Sequence, residues 1–460
     1  YKRQKLQRKR YFLIGIGGIG MSALARLLKT RGAEVAGIDS QNSSYIEDLR
    51  NSGIKIIEDI HNELLDSFDE VIYTGAVKEN DPLLQLFRKK GIPTCSRADK
   101  LNFLLNESKF SIAVTGTHGK TTTASLLSHI FLYSGCKAET YVGGIMKNYG
   151  TNYVYSGDNY FIAEVDESDG KIRDCRPDIA IITNLEYEHV DQYKNMKDLI
   201  ATIEAFINGL SDKSKLLFFE GSILHNSFQN KKAELVILSR TKGFAPFFNI
   251  EWDDDGFFGR FLFPENSITI ECRSLKGRHN LENAALAVSC AVLCGIKPEK
   301  IREAIESFQG IKRRFETIGQ TREGVVFITD YAHHPTEVKN VLFVARNICR
   351  RGKICVVFQP HRRTRLKFFF SKFAEALKPA DIIIVTDIFL AGENGDNSAL
   401  SKALANELSA KEKKKALFAS IEELDFVLNK IYKDVSMVIF MGAGSIDSFA
   451  RRFFKCLQAV

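Results

Sequence analysis

The stretch from Phe110 to Thr123, FSIAVTGTHGKTTT, constrains the fold of this chain more than any other. It begins with apolar β-formers, breaks at a glycine, and leads through Gly119-Lys120-Thr121 into ASLLSHIFLYSG, which has the pattern of a helix. A strand, a tight loop and a helix in this order place unpaired backbone N–H groups and the positive end of a helix dipole at the loop. The sequence therefore predicts a phosphate-binding loop in an α/β domain, in preference to a plain helix N-terminus.

The loop is a short form of the general phosphate-loop pattern. In GxxxxGK[ST] the first glycine would fall at Val114, whereas here it falls at Gly116. The Lys120 ammonium can reach the β- and γ-phosphates, and the Thr121 hydroxyl can bind Mg²⁺. The predicted nucleotide-binding residues are Gly116, Thr117, His118, Gly119, Lys120, Thr121 and Thr122.

A second glycine-rich turn lies near the start of the chain. The strand pattern YFLIGIG leads through GxGxxG into the helical pattern MSALARLLKTRG, and the next strand pattern, EVAGID, ends at Asp39. Dinucleotide-binding folds place a ribose-binding acid at this position. The pattern predicts a nucleotide or sugar-nucleotide diphosphate site, with a tight structural turn as the alternative. Its candidate residues are Gly15, Gly17, Gly18, Gly20 and Asp39.

The strand pattern YFIAEVDESDG brings several acids to its carboxyl end, where open parallel sheets bind ligands. Glu164 leaves the strand first and is the predicted Mg²⁺ ligand. A solvated turn is the alternative, and it fits Glu167 and Asp169 better. The next strand pattern, DIAIITN, is followed by His189, which we expect at the same edge of the sheet.

The rest of the chain carries a second group of candidates. Residues 212–275 have the pattern of a β-rich insertion, and the helix that follows contains Asn283, which can contact a base or ribose. A third α/β unit then has polar residues directly after successive strands. Its candidates, with those of the junction before it, are Arg314, Asp330, His333, His334, Arg362 and Arg365.

Length and charge limit the functional classes. A chain of 460 residues suggests about three domains, and the patterns above put them at 1–104, 105–312 and 313–460. The net charge of +8 is concentrated in the first ten residues, which indicates a solvated terminus rather than nucleic-acid binding. No stretch approaches about 18 consecutive apolar residues, so we expect no membrane span. The nine cysteines form no CxxC pair, which favours reduced thiols and a cytoplasmic protein.

Ten segments occur in order along the whole chain: GIGGIGMSALA, GTHGKTTT, EVDESDG, TNLEYEHVDQY, GRHNLENA, GIKRRFE, DYAHHPTE, FQPHRRTR, DIFLAGE and GAGSID. Together they resemble the motifs of the Mur ligases, the ATP-dependent amide-forming enzymes of peptidoglycan synthesis. The resemblance implies an α/β fold of three domains: an N-terminal Rossmann-like domain for a UDP-sugar, a central ATPase domain with a phosphate loop on a parallel sheet, and a C-terminal Rossmann-like domain. It also implies ATP and Mg²⁺ as cofactors.

The resemblance assigns roles by motif match. Lys120 would contact ATP phosphates, and the magnesium sites would include Thr121, Glu164 and His189. Asn283, Arg314 and Asp330 would hold adenine, ribose or phosphate. Substrate contacts would come from His333, His334, Arg362 and Arg365, with the incoming amino acid and the acyl group near the last three. The residues expected to take part in catalysis are Lys120, Glu164, His189, His334 and Arg365, with His334 as one candidate base.

The implied reaction joins L-alanine to the lactyl carboxylate of UDP-N-acetylmuramate through an acyl phosphate. A ligase that recycles a murein tripeptide and a non-catalytic nucleotide-binding module are the alternatives. Glu188, Thr329 and Leu390 differ from the usual family residues at their positions. These differences affect the roles assigned to individual residues more than the assigned reaction. The oligomeric state is left open.

Overall fold

The computed structural model describes residues 9–40, 43–58, 65–168, 170–188, 190, 192–221, 232–239, 248–252, 258–262, 267–271, 274–410 and 415–458, and for the strands between 248 and 271 it describes the backbone alone. Two compact units are present. The first contains two sheets with their helices, and the second contains a third sheet and starts its main segment at Gly310.

The first sheet consists of β1 (Arg10–Ile14), β2 (Glu34–Ile38), β3 (Lys55–Ile56), β4 (Glu70–Tyr73) and β5 (Thr94–Ser96). The helices among them are α1 (Ile19–Thr30), α2 (Ser44–Asn51), α3 (Pro82–Lys89) and α4 (Arg97–Asn106). All five strands are parallel, in the spatial order β3-β2-β1-β4-β5. The order reverses at β1, so the glycine turn after β1 opens at the topological switch point, where such sheets bind ligands.

The central sheet has ten strands. They are β6 (Ser111–Thr115), β7 (Ala138–Met146), β8 (Thr151–Tyr155), β9 (Tyr160–Glu164), β10 (Ile179–Ile182), β11 (Lys215–Phe219), β12 (Glu234–Ser239), β13 (Phe248–Trp252), β14 (Phe258–Leu262) and β15 (Ser267–Glu271). The helices of this part are α5 (Lys120–Tyr133), α6 (Met196–Asn208), α7 (Arg278–Leu293) and α8 (Pro298–Ser307), with a 3-10 turn at Lys171–Asp174. The spatial order is β15-β14-β13-β12-β11-β10-β6-β9-β7-β8.

The strand before the phosphate loop lies in the middle of this sheet. β6 pairs in parallel with β9 on one side and β10 on the other, and all five of its residues are buried. A parallel strand covered on both faces needs a continuous apolar run, which explains the pattern of IAV. The β-rich segment predicted over 212–275 is present, but its strands β11 and β12 are parallel members of the same sheet, and only β13, β14 and β15 form an antiparallel extension.

The third sheet contains β16 (Glu316–Gln320), β17 (Val326–Asp330), β18 (Ile354–Phe358), β19 (Ile382–Val385), β20 (Lys415–Phe418) and β21 (Met437–Met441). Its helices are α9 (Pro335–Ile348), α10 (Arg363–Phe368), α11 (Phe370–Leu377), α12 (Ala399–Ala410), α13 (Leu424–Asn429) and α14 (Ile446–Gln458), with a 3-10 turn at Tyr432–Asp434. The order is β16-β17-β21-β18-β19-β20, parallel except for β16.

Three mostly parallel sheets with helices confirm the predicted α/β class. The domain boundaries at 104/105 and 312/313 stay predictions. Each sheet has buried apolar faces, and one cluster of core residues runs continuously from β1 and α1 to β9, β10 and α6 within the first unit. Within the described parts of the chain, no helix combines the length and the apolar composition that crossing a bilayer requires.

Candidate active site

The phosphate loop has the predicted strand, loop and helix geometry. Gly116 has φ of 120° and Gly119 has φ of 83°, which are values that L side chains rarely adopt. Gly119 is the N-cap of α5, so the helix begins at Lys120 with its first N–H groups directed at the loop. A Cβ on Gly119 would collide with the amide of Asn283. The loop thus requires glycine for its backbone and for the close approach of α7.

The Lys120 ammonium lies among carboxylates. Its Nζ is 2.8 Å from Glu167 Oε2 and 3.5 Å from Asp166 Oδ1, and it also donates to the Thr117 carbonyl at 3.3 Å. Burial disfavours the charged ammonium, but the attraction of Glu167 and Asp166 outweighs it and raises the pKa of Lys120. The lysine is therefore held as a cation at the loop.

Glu167 does not fit the alternative interpretation of the acids after β9. That alternative was a solvated turn, which fitted Glu167 and Asp169 better than Glu164, yet the Glu167 side chain is fully buried. Its backbone carbonyl also accepts a hydrogen bond from the Tyr193 hydroxyl. Asp169 lies outside the described residues. The position of Glu167 one residue after Asp166 in EVDESDG was the available signal, because a lysine at the loop needs a buried counter-charge.

Glu164 and Thr121 meet at the end of β9. The Thr121 hydroxyl donates to Glu164 Oε1 at 2.9 Å, and the Gly143 N–H donates to Oε2 at 2.6 Å. Burial raises the pKa of Glu164, against the opposing effects of the Lys120 ammonium and of these two donors. A hydroxyl and a carboxylate side by side are oxygen ligands of the kind that Mg²⁺ prefers, so the residues present fit the ion that the family resemblance implies.

The segment after β10 holds the other side of the loop. Asn184 Oδ1 accepts from the His118 N–H at 2.9 Å, and the Thr183 hydroxyl donates to the His118 carbonyl at 2.6 Å. The Thr117 hydroxyl donates to the Glu186 carbonyl at 3.0 Å and accepts from the Glu186 N–H at 2.9 Å. These residues belong to the motif TNLEYEHVDQY and had no predicted role, but their hydrogen bonds hold the loop in place.

The glycine turn of the first sheet brings its predicted residues together. Gly15 has φ of 81°, and its N–H donates to the Ile38 carbonyl at the end of β2 at 2.8 Å. Asp39 follows directly, and its Oδ2 accepts from the Gly17 N–H at 2.8 Å. Gly18 is the N-cap of α1, and Gly20 lies in the first turn of that helix. The acid and the turn therefore form one local structure at the carboxyl ends of β1 and β2.

Asp330 anchors the candidate residues of the second unit. Its carboxylate accepts from the Phe315 N–H at 2.6 Å and from the Ala332 N–H at 2.7 Å. Burial raises the pKa of Asp330 to about 6, against the lowering effects of the Arg314 guanidinium and of the two backbone donors. Arg314 lies 3.7 Å from the Glu337 carboxylate and over the Tyr331 ring at 5.3 Å.

His334 occupies a structural position. Its side chain is completely buried, and its Nδ1 accepts from the Thr336 N–H at 3.4 Å as the N-cap of α9. Its ring packs edge-on against Phe369 at 4.8 Å. The neighbouring His333 donates its backbone N–H to Glu337 at 3.0 Å. The geometry shows a capping role for His334, and its role as a base stays a prediction.

Two of the three arginines of FQPHRRTR, Arg362 and Arg365, are candidate site residues, and they lie at the start of α10. Arg362 is the N-cap with φ of 65°, and its backbone N–H donates to the Phe389 carbonyl at 2.9 Å. Arg365 is buried, and its Nη1 lies 2.9 Å from His361 Nδ1. These two arginines, with His333, His334, Arg314 and Asp330, belong to the second unit, whereas the loop, Glu164 and Asn283 belong to the first. His189 lies outside the described residues, and the roles assigned to all of these residues stay predictions.

Comparisons with known proteins bear on the whole chain. Residues 10–109 match the Mur ligase family catalytic domain, residues 114–291 the Mur ligase middle domain, and residues 313–444 the Mur ligase glutamate ligase domain. The UDP-N-acetylmuramate–L-alanine ligase of Sulfurihydrogenibium sp. (strain YO3AOP1) is 33% identical over 455 residues, which cover 98% of each chain.

Solved structures agree with this relationship. The crystal structure of a UDP-N-acetylmuramate-alanine ligase, MurC, from Thermotoga maritima gives a TM-score of 0.81 at 28% identity and covers 98% of this chain and 99% of its own. A murein peptide ligase from Psychrobacter arcticus gives a TM-score of 0.75 at 21% identity over 98% and 99% of the two chains, which shows a common fold alone. The resemblance seen in the sequence motifs is confirmed, and the chain belongs to the Mur ligase family of ATP-dependent, amide-forming ligases.

Proposed function

We propose that this chain joins L-alanine to the lactyl carboxylate of UDP-N-acetylmuramate, with hydrolysis of ATP to ADP and phosphate, in the synthesis of peptidoglycan precursors. The observation that carries the proposal is the similarity over 98% of both chains to a relative named for this reaction. The presence of matching domains for all three parts of the enzyme supports it.

The chemistry requires an activated acid. A carboxylate reacts poorly with an amine because its oxygen is a poor leaving group, so the γ-phosphoryl group of ATP is first transferred to the lactyl carboxylate. The products of this step are ADP and an acyl phosphate. The neutral amine of L-alanine then attacks the acyl carbon, phosphate leaves with the electron pair of the C–O bond, and the nitrogen loses a proton to give the amide.

The residues of the first unit suit the first step. Phosphoryl transfer brings two anions together, and positive charge aimed at the transferred group lowers the barrier. Lys120 is held as a cation by Glu167 and Asp166, and the N–H groups at the start of α5 add positive potential. These groups would bind and orient the ATP phosphates.

Mg²⁺ belongs to this proposal as the second cofactor. Thr121 and Glu164 would hold the ion, because their oxygens lie 2.9 Å apart next to the loop. When bound, Mg²⁺ neutralises phosphate charge and orients the transferred group. We also place the reaction in the cytoplasm, because it consumes ATP.

Phosphate release tests the proposed function. The purified chain is incubated with ATP, Mg²⁺ and UDP-N-acetylmuramate, and L-alanine, L-serine, glycine or the murein tripeptide is added singly. We expect release that requires both the UDP-sugar and L-alanine. Release only in the arm that contains the murein tripeptide would instead assign the chain to the recycling reaction. No release in any arm, with Lys120→Ala indistinguishable from the wild type, would overturn the ligase assignment.

A further inference from the structure

One buried hydroxyl connects the glycine turn of the first sheet to the central sheet. Tyr141 lies on β7 and is 2% exposed. Its hydroxyl donates to the Gly20 carbonyl at 2.9 Å and accepts from Arg97 Nη1 at 3.0 Å. The phenol therefore binds the first turn of α1 and the first residue of α4 at the same time.

The contact of Gly20 with Tyr141 and Arg97 leaves little room for a side chain at position 20, and Tyr141 is the hydrogen-bond donor to the Gly20 carbonyl. A Cβ on Gly20 would lie 3.0 Å from the Tyr141 hydroxyl and 3.1 Å from Arg97 Nη1, so a side chain at this position would push the two groups away. Burial raises the pKa of Tyr141, in opposition to the nearby guanidinium. The phenol thus keeps the proton that it donates to the turn.

The same strand leads to the candidate magnesium ligands. Gly143 is two residues after Tyr141 on β7. The space that a side chain at 143 would occupy is filled by the Glu164 carboxylate, whose Oε2 would lie 2.6 Å from a Cβ there. That carboxylate accepts from the Gly143 N–H and from the Thr121 hydroxyl.

Backbone pairing holds β7 on both sides as far as Tyr141 and becomes irregular beyond it. β7 keeps its parallel register with β9 as far as Tyr141, which pairs with Ala163. Its antiparallel pairing with β8 is irregular between Tyr141 and Met146. Because an irregular segment loses ladder hydrogen bonds, its position depends more on side-chain contacts. The bond from the Gly143 N–H to the Glu164 carboxylate is such a contact, and Tyr141 is the last regularly paired residue before this segment.

We propose that Tyr141 is a positioning residue that holds the glycine turn of the first domain in register with Glu164 and Thr121 of the central domain. The inference rests on the proposed function, because it assumes that the turn binds the diphosphate of the UDP-sugar and that Glu164 and Thr121 bind Mg²⁺. Tyr141 contacts the UDP-sugar turn at Gly20, and Gly143 on the same strand contacts Glu164. The position of the UDP-sugar turn therefore affects the geometry of the magnesium ligands.

The test compares two variants, each of which lacks the hydroxyl of one buried tyrosine. Tyr141→Phe removes the bonds to Gly20 and Arg97 and keeps the ring. Tyr153→Phe is the matched control: Tyr153 is 6% exposed on β8, and its hydroxyl donates to Glu139 at 2.8 Å, which pairs with Arg31 at 2.5 Å. The control also lies where the two domains meet, opposite Tyr141 on the neighbouring strand, and its hydrogen bonds go to Glu139, Thr151 and Thr30 rather than to the glycine turn or Glu164.

We expect both variants to unfold at a lower temperature than the wild type. In Tyr141→Phe, the KM for UDP-N-acetylmuramate and the Kd for UDP, measured by titration calorimetry, should rise roughly tenfold, as expected for loss of one buried hydrogen bond at a binding turn. The Mg²⁺ concentration for half-maximal velocity should rise about threefold. In Tyr153→Phe, all three values should stay within about twofold of the wild type.

Equal kinetic and binding values in the two variants would overturn the positioning role and leave Tyr141 as a packing residue. A wild-type chain that shows no turnover with these substrates would instead overturn the proposed function. In that case the UDP titration still tests the positioning role, because UDP binding needs no catalysis. A higher Kd for UDP in Tyr141→Phe but not in Tyr153→Phe supports the role, and an unchanged Kd in Tyr141→Phe rejects it.

Discussion

The Lys120 ammonium lies 2.8 Å from the carboxylate of Glu167, a side chain with no exposure to solvent. Removing one partner of a buried ion pair leaves an uncompensated charge, which costs far more than the pair itself contributes. The pair therefore holds a cation at the phosphate loop and makes the stability of the fold depend on that cation. Activity and stability can be separated by experiment at these two positions.

Lys120→Ala should lower kcat/KM for ATP by at least about 100-fold, because a cation aimed at the transferred phosphate is lost. It should also lower the free energy of unfolding by about 3 kcal/mol, because Glu167 is left charged and buried. Adding Glu167→Gln to Lys120→Ala should restore most of the stability and none of the activity. Denaturant unfolding and phosphate release measure the two effects, and equal stability of the single and double variants would contradict the account.

Glu164→Gln should raise the Mg²⁺ concentration for half-maximal velocity by about tenfold or more, because a neutral amide is a poorer ligand for a hard cation than a carboxylate. A titration of phosphate release with Mg²⁺ measures the shift. Glu34→Gln, at an acid whose side chain is 74% exposed at the start of β2, is the control and should leave the titration unchanged. Identical Mg²⁺ curves for wild type and Glu164→Gln would remove Glu164 from the metal site.

His129 should make the first unit less stable in acid. Its ring lies between the Tyr149 hydroxyl at 2.8 Å and the Ser307 hydroxyl at 3.0 Å, and burial lowers the pKa of His129 to about 4, against the opposing effect of the Ala304 backbone. Between about pH 6.5 and pH 4 the unfolded chain binds a proton here that the folded chain does not. The contribution of neutral His129 to the free energy of unfolding is therefore fully present above pH 6.5. It is lost as the pH falls toward 4, by about 3 kcal/mol at most.

The variant His129→Gln keeps hydrogen-bonding groups but does not titrate. Its free energy of unfolding should fall less steeply than that of the wild type between pH 6.5 and 4, although it starts from a lower value at pH 7. Urea unfolding at three pH values in this window measures the slopes. Parallel slopes for the two proteins would show that the titration of His129 is not what destabilises the wild type in acid.

His334→Ala should lower the free energy of unfolding by about 1 to 2 kcal/mol, because α9 loses its N-cap. His334→Asn should recover part of this loss, since asparagine is a good capping residue. If the ring acts only as a cap, the dependence of kcat on pH keeps the same shape in His334→Asn as in the wild type, and this is the result we expect from its burial. Loss of the acidic limb of the pH profile in His334→Asn would instead support the general-base role, because a base must be deprotonated to act.

Much of the local structure was predictable from the sequence. The strand, loop and helix around Lys120 and the glycine turn before α1 were placed correctly, because apolar periodicity and glycine positions act within a few residues of each other. The three-domain α/β class and the family followed from motifs in order along the chain. Whole-chain comparison agrees with both.

Contacts between distant residues were not predictable in the same way. Glu167 stood in an acidic run that resembled a solvated turn, and only packing buried it against Lys120, 47 positions earlier in the chain. His334 looked like one of several polar residues after a strand, and its burial against Phe369 made it a cap.

The sequence by itself determined the order of strands, loops and helices and the places where glycine is required, since these depend on backbone geometry and on the spacing of apolar residues. Only the tertiary structure decided which carboxylate holds Lys120 and that Tyr141 reaches Gly20 across 121 positions. The reason is that side-chain direction and burial depend on which elements pack together. A polar residue at the end of a strand becomes a ligand, a cap or a solvated group according to the neighbours that the fold brings to it.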